Sequence, residues 1–221
     1  MEIFWKFYEK RLGRIIRKYD NSIPGHIVLI ITESDLIETS SLDRIIDFVG
    51  WCEEYNIHIL TIYVSMIDLD AAISSRVYDE LLEHLTLKLR DIDATIDLFS
   101  INGKINNIKT SENLTLRINV SMGYGGKKEL TKAFKDIMQK VDLGELNPED
   151  INESVIENHL LFNDEPDLVI RSGGKLLADF LIWQSVYSEI YFTDVSWIHL
   201  RKLDFLRAIR DFQKRQRRFG K

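Results

Sequence analysis

The sequence predicts a single α/β domain, a mostly parallel central sheet flanked by helices. Three observations carry that expectation. Apolar runs of strand length, HIVLIIT (26–32), IHILTIYVS (57–65) and DLVIR (167–171), are unbroken rather than alternating, as in strands buried on both faces. Segments with apolar residues at helical spacing separate them, the pattern of strands joined by crossover helices. The 221 residues, 45% hydrophobic and 29% charged, suffice for one sizeable core and show no internal repeat, linker or low-complexity tract.

Residues 1–20, MEIFWKFYEKRLGRIIRKYD, form a basic amphipathic helix carrying Lys6, Lys10, Arg11, Arg14, Arg17 and Lys18. Two readings of it stand side by side. It lies on an anionic membrane surface, or it is an ordinary helix packing Ile3, Phe4, Phe7, Leu12 and Ile15 on the domain. After the strand 26–32, Ser41 is placed as the N-cap of a helix bearing Leu42, Ile45, Ile46, Val49 and Trp51. The strand 57–65 leads to a helix from Arg76 to Leu89, with Val77, Leu81, Leu82, Leu85 and Leu89 on one face. ATIDLFSI and LTLRINVS read as strands, with turns at Asn102-Gly103 and Glu112-Asn113. Helices from about Lys127 to Val141 and from Ile151 to Leu161 flank a polar connection at Asn147-Pro148. The turn Asn163–Pro166 opens the strand 167–171. A helix Phe180–Ser188, a short strand IYF and a helical remainder complete the chain, with 201–221 a basic helix and tail.

The net charge of −6 and pI near 5.5 argue against a general nucleic-acid binder, which carries a basic surplus. Charge is concentrated instead: both ends are cationic and the middle is acidic. Cys52 alone excludes a disulfide framework and a multi-cysteine zinc site, and its setting FVGWCEEY predicts a buried, inert thiol. The five histidines show no metal-ligand spacing. No run has the length of a membrane span and no signal-peptide pattern is present, so a cytoplasmic protein is expected.

Ligands of such sheets collect beyond the carboxyl ends of the strands. That rule selects Thr32–Asp35, Ser65–Asp70, Ser121–Gly126 and Arg171–Gly174. In VSMGYGGKKEL and VIRSGGKL, glycines between a strand and the next segment let backbone N–H groups approach an anion, and Arg171 suits a phosphate. Each alone is an ordinary turn signal; together they point to a diphosphate. Glu33 and Asp35 are candidate magnesium ligands, set against a plain solvated loop, which is the preferred reading there and at Asp68 and Asp70.

The stretch EPDLVIRSGGKLLADFLIWQSVYSEIYFTDVSWIHLRKLDFLRAIRDFQKRQRRFG resembles the C-terminal half of the cis-prenyltransferases, the undecaprenyl and dehydrodolichyl diphosphate synthases. LRINVSMGYGGKKELTKAF and IPGHIVLIIT resemble preceding segments of that family. The resemblance implies the family's α/β fold, a dimer built partly through Phe180, Trp183, Tyr187, Tyr191 and Phe192, and a magnesium-dependent site for isopentenyl diphosphate and an allylic diphosphate. It also implies where this chain departs. The family's metal–diphosphate aspartate after the first strand falls on Thr32, in a shortened segment Thr32-Glu33-Ser34-Asp35 lacking the family's glycines and arginine. The family's Phe-Ser-x-Glu-Asn-Trp is Val64-Ser65-Met66-Ile67-Asp68-Leu69 here. The second arginine and the serine expected after Arg171-Ser172-Gly173-Gly174 fall within Lys175-Leu176-Leu177-Ala178-Asp179. Glu189 matches a metal-binding carboxylate of the family, or serves as a structural interface residue. Arg218-Phe219-Gly220 matches the C-terminal Arg-x-Gly that grips isopentenyl diphosphate in the partner's site; a helix end favouring its own dipole is the plain alternative.

A lost catalytic loop beside a retained interface and tail resembles the accessory subunits of heteromeric cis-prenyltransferases, of the Nogo-B receptor type. The expected function is a catalytically degenerate subunit that completes a catalytic partner's site, with magnesium mainly on the partner's side. Two alternatives stand against it. One is an active homodimer whose metal is held by Glu33 or Asp35. The other is a non-enzymatic module binding isoprenoid diphosphate or a membrane surface.

Overall fold

The computed structural model describes residues 2–19, 22–66, 71–112, 115–174, 176 and 179–215. Seven strands form one sheet in the order β4-β3-β5-β2-β1-β6-β7. These are β1 (His26–Thr32), β2 (Ile59–Ser65), β3 (Thr95–Phe99), β4 (Ile105–Lys109), β5 (Arg117–Met122), β6 (Leu168–Ser172) and β7 (Glu189–Thr193). All neighbours pair in parallel except β4, which runs antiparallel to β3 at one edge. The mostly parallel sheet expected from the unbroken apolar runs is therefore present. β1 lies near its centre, with its first six residues buried.

Six helices accompany the sheet: α1 (Glu2–Arg17), α2 (Thr39–Glu54), α3 (Ala71–Leu89), α4 (Gly126–Asp142), the short α5 (Glu153–Glu157) and α6 (Lys202–Lys214). The larger core cluster joins Leu12 and Ile16 of α1, Phe48 of α2, Leu85 of α3 and Phe205 of α6 to Ile27, Leu29, Ile31, Ile62 and Val64 of the sheet. Odd-numbered β1 residues thus face these four helices. The even-numbered Val28 and Ile30 face a second cluster containing Tyr63, Phe99, Tyr124, Phe162, Val169, Phe180 and Leu181. This alternation is the two-residue period of a strand covered on both sides.

Three expectations need correction. The segment Phe180–Ser188 is not a helix: residues 182–187 form consecutive turns, and Leu181 adopts a left-handed φ of 47°. Its helical spacing is overridden because Asp179 and Phe180 engage the sheet face instead. The helix expected over 151–161 is only α5, capped by Asn152, whose side chain accepts from Val155 N–H at 3.1 Å. Strand β4, INNIK, was not anticipated; it is an edge strand whose first three residues are exposed, so it carries no apolar run to read.

Candidate functional site

The chain passes from β1 to β2 on one side and later enters β6 on the other side of β1, so the strand order reverses between β1 and β6. The crevice beyond their carboxyl ends is the natural ligand position. The sheet register brings the two predicted segments together there: Arg171 pairs with Ile30, two residues before Thr32. Thr32 in turn is level with Ser65 of β2.

Beyond β1 the chain makes one turn of 3-10 helix, Glu33–Leu36. Asp35 closes this turn on itself. Its Oδ2 accepts from Thr32 N–H at 2.9 Å and from the Thr32 hydroxyl at 2.7 Å, while Ser34 Oγ lies 2.8 Å from Thr32 Oγ1. Glu33 is buried, and the Ser41 hydroxyl donates to the Asp35 carbonyl rather than serving as the expected N-cap of α2. Trp197 Nε1–H donates to the Ser41 carbonyl at 3.2 Å, tying the turn to the far side of α2. A groove of about 420 Å³ opens beside the turn, lined by Leu36, Ile37, Leu42, His84, Leu87, Lys88 and Asp91.

On β6, the Arg171 guanidinium folds back: one amino group donates to the Ile30 carbonyl at 3.3 Å, and Nε is buried without a hydrogen bond among the described residues. A Cβ at Gly174 would lie 3.3 Å from that guanidinium, so glycine gives the arginine its room. Gly173 does not cradle an anion with its N–H. With φ +67° it turns the chain so that this N–H points at the Thr193 and Val195 carbonyls, each at 3.1 Å. The Ser172 hydroxyl likewise donates to Val195 O at 2.9 Å. Of the Arg171–Gly174 set, the Ser172 hydroxyl and the Gly173 N–H are thus engaged within the fold.

The glycine loop before α4 is occupied from within. Asp179 lies across the helix start: its carbonyl accepts from Gly126 N–H at 2.9 Å and its Oδ1 accepts from Lys127 N–H at 3.0 Å. A Cβ at Gly125 would collide with the Asp179 carbonyl, and one at Gly126 would sit 2.8 Å from Ile182 Cγ1. The Tyr63 hydroxyl also donates to Asp179 O at 3.2 Å, and its ring stacks on Phe180 with centroids 4.2 Å apart. Burial and the nearby Asp179 charge push the Tyr63 phenol up to about 12, so it stays protonated and donates. These glycines therefore admit the 179–182 segment, a corrected role for the expected anion loop. The sequence places Asp179 only within Lys175–Asp179, where the family's second arginine and serine are expected; a contact with a helix start 52 positions away leaves no local signal.

Glu129 of α4 went unnoticed in the same way. It is 3% exposed; Oε1 accepts from Leu161 and Phe162 N–H, both at 2.9 Å, and Oε2 accepts from Gln184 Nε2 at 3.2 Å. Burial raises its pKa, and the three donors oppose that rise. At the other end of the sheet, buried His26 meets Thr61 Oγ1 at 2.9 Å, with burial lowering its pKa against the pull of Asp164 and Asp167. Buried Cys52 has its thiol pushed well up by desolvation, in keeping with the expected inert thiol.

Glu189 is not brought to Arg171 or Thr32 within this chain. It pairs with Leu168, at the amino end of the sheet, and accepts from Arg215 at 2.8 Å. Among the residues expected at a dimer contact, Phe180 is buried within the chain, Trp183 and Tyr191 are half-buried, and Tyr187 and Phe192 are 52% and 41% exposed. Arg218, Phe219 and Gly220, like Ile67–Asp70, Lys175, Leu177 and Ala178, lie outside the described residues. Among the described residues no group of three or more histidine, cysteine or acidic side chains is placed to hold a metal. Of the carboxylates considered for magnesium, Asp35 accepts from Thr32, Glu189 accepts from Arg215, and Glu33 is buried.

A sheet covered on both faces, with a crevice at its switch point, defines an α/β protein of the ligand-handling class. A family model described as putative undecaprenyl diphosphate synthase matches residues 98–220. A tritrans,polycis-undecaprenyl-diphosphate synthase (geranylgeranyl-diphosphate specific) of Methanocaldococcus jannaschii is 35% identical, over 98% of this chain and 89% of its own length. Isoprenyl transferase 2 of Tropheryma whipplei is 33% identical, over 99% and 96%. The crystal structure of lavandulyl diphosphate synthase from Lavandula x intermedia shares the fold, with a TM-score of 0.72 at 22% identity over 91% of this chain and 100% of that one. The chain belongs to the undecaprenyl diphosphate synthase family, the cis-prenyltransferases. The alignment to the Methanocaldococcus protein spans 251 positions against 221 residues here, so at least 30 positions have no counterpart in this chain.

Proposed function

We propose that this chain is the non-catalytic subunit of a two-component cis-prenyltransferase. In that complex, isopentenyl diphosphate condenses with an allylic diphosphate to give a long polyprenyl diphosphate. The observation that carries the reading is the closed turn after β1. Where a carboxylate is needed to hold a magnesium diphosphate, there is a neutral Thr32 hydroxyl, and the neighbouring Asp35 carboxylate accepts two hydrogen bonds from Thr32 through Oδ2. A hydroxyl does not offset the charge of a diphosphate and its metal. In the proposal the partner supplies magnesium, the aspartate and the tunnel for the product. This chain supplies Arg218, Phe219 and Gly220 in trans and contacts the partner along 180–192, where Tyr187 and Phe192 are exposed. The tail leaves from Arg215, which Glu189 anchors on edge strand β7, so it starts beside the strand edge open to a second chain. Peripheral contact with a membrane surface belongs to the same reading, because the product is a lipid.

The purified chain is expected to be inactive with isopentenyl diphosphate and an allylic primer, and to raise turnover at least tenfold when mixed with a subunit bearing the aspartate motif. Arg218→Ala should remove most of that gain while leaving co-purification intact. Robust turnover by the isolated chain would overturn the reading. One observation favours the second reading, an active homodimer: the relatives that match over nearly the whole chain are named as synthases in their own right. Its mark would be magnesium-dependent turnover of the chain alone, abolished by Glu33→Ala or Asp35→Ala.

A further inference from the structure

Helix α1 is held to the domain by only part of its length. Leu12 and Ile16 are buried against α6, but Trp5 and Tyr8, on the same helical stripe one and two turns earlier, are 40% and 38% exposed. The amino-terminal half of α1 is therefore only partly covered by the domain. Its outward face carries Phe4 and Phe7, which are 67% and 66% exposed. At 100° per residue Arg11, Arg14 and Lys18 follow on that same face, with Lys10 at its margin. Between Lys6 and Lys18 there are six cations and one acid, Glu9, in a chain whose net charge is −6. Among the described residues, the ion pair that α1 makes is that of Arg17 with Glu54 of α2.

An exposed phenylalanine pair has no polar atom to satisfy in water. Beside it, Tyr8 sits at the border, where an apolar ring with a polar tip is at home between hydrocarbon and headgroup, while Trp5 faces the domain. Phe4 and Trp5 meet edge to face at 6.0 Å, and Arg201 of α6 lies over the Trp5 ring at 5.6 Å, so the aromatic group has a fixed base.

We infer that α1 docks flat on an anionic lipid bilayer, with Phe4 and Phe7 inserted among the acyl-chain ends and Lys10, Arg11, Arg14 and Lys18 against the headgroups. The charge excess selects anionic over zwitterionic lipid, since each cation near such a surface adds attraction that salt screens within a Debye length. This inference deepens the peripheral membrane contact of the proposed function, and its vesicle test uses no catalysis and no partner, so either can fail without the other.

The test is co-sedimentation of the full chain with vesicles of phosphatidylcholine containing about 30 mol% phosphatidylglycerol, against phosphatidylcholine alone, in roughly 0.1 M salt. Binding is expected to the anionic vesicles, at least tenfold stronger than to neutral ones and weakened by added salt. Phe4→Ala/Phe7→Ala and, separately, Arg11→Glu/Arg14→Glu should each lower partitioning at least tenfold with unchanged thermal unfolding, since these side chains lie outside the core. Equal binding to both vesicle types, no binding, or a chain that self-associates through α1 and ignores vesicles would each overturn the inference.

Discussion

Replacing Glu129 by alanine tests whether the 160s and 180s segments depend on one buried carboxylate. The side chain accepts from two backbone N–H groups and the Gln184 amide, and its 3% exposure leaves no room for water to take over. Each buried donor left unsatisfied costs about 1–3 kcal/mol. Part of that is returned, because removing the carboxylate also removes its desolvation penalty. The net loss should be about 2–4 kcal/mol, read as a lower urea midpoint at constant m. Glu129→Gln keeps an acceptor for Leu161 and Phe162 but sets an amide NH₂ against that of Gln184, so it should lose about half as much. The pH dependence gives a second reading. Burial holds the folded-state pKa above the ordinary 4.5. Protonation therefore favours the folded state, and this contribution is fully present below 4.5 and lost as pH rises through the folded value. Glu129→Gln should flatten that slope. An alanine variant within about 0.5 kcal/mol of the natural chain would refute the assignment of Glu129 as the clasp of this face.

Gly125→Ala should cost about 2–4 kcal/mol, because the new methyl meets the Asp179 backbone carbonyl, which has no rotamer by which to yield. Gly50→Ala, in the middle of α2 with open space around its Cβ, should instead gain about 0.5–1 kcal/mol in the same urea assay. His26 has a folded-state pKa below its ordinary 6.5, so the stability it contributes is present above 6.5 and lost as pH falls through the folded value. His26→Gln should remove that loss from a pH series of urea midpoints. A series with the same slope in both chains would show that the titrating group lies elsewhere.

What the sequence could reveal followed from how each residue's role is written. β1, β2 and β6 are legible because a strand buried on both faces must be apolar throughout, as in HIVLIIT. The crevice followed from the ends of those same strands. β4 was not legible, since INNIK has polar exposed residues and is ordered by pairing with β3 rather than by burial. The 180s segment was misread for the opposite reason: FLIWQSVYS has a genuine helical rhythm, but its first residues are more strongly held elsewhere. Tyr63 stacks on Phe180 and α4 captures Asp179, contacts separated by more than fifty positions in the chain. Nor does a glycine pair declare whether it admits a ligand or another part of the same protein. Gly125 and Gly126 do the second.

The turn after β1 separates the two enzymatic readings without any assay of turnover. If Asp35 or Glu33 holds magnesium in the natural chain, millimolar magnesium must stabilise the fold by an amount set by its affinity. The closed turn predicts no such effect, since Asp35 Oδ2 already accepts both from the Thr32 N–H and from its hydroxyl. Thr32→Asp restores the family's residue type at this position and should change the answer. The hydroxyl donor is lost, and two carboxylates then face one another where a hydrogen bond of 2.7 Å had been. Without metal the variant should be less stable by about 1–3 kcal/mol, the usual cost of a broken hydrogen bond plus like-charge contact at a partly exposed site. Magnesium, bridging the pair, should return much of that loss. Calorimetry of both chains with and without the ion is the measurement. Magnesium stabilisation of the natural chain equal to that of the variant would mean that its turn already binds metal, and the subunit reading would give way to the active homodimer.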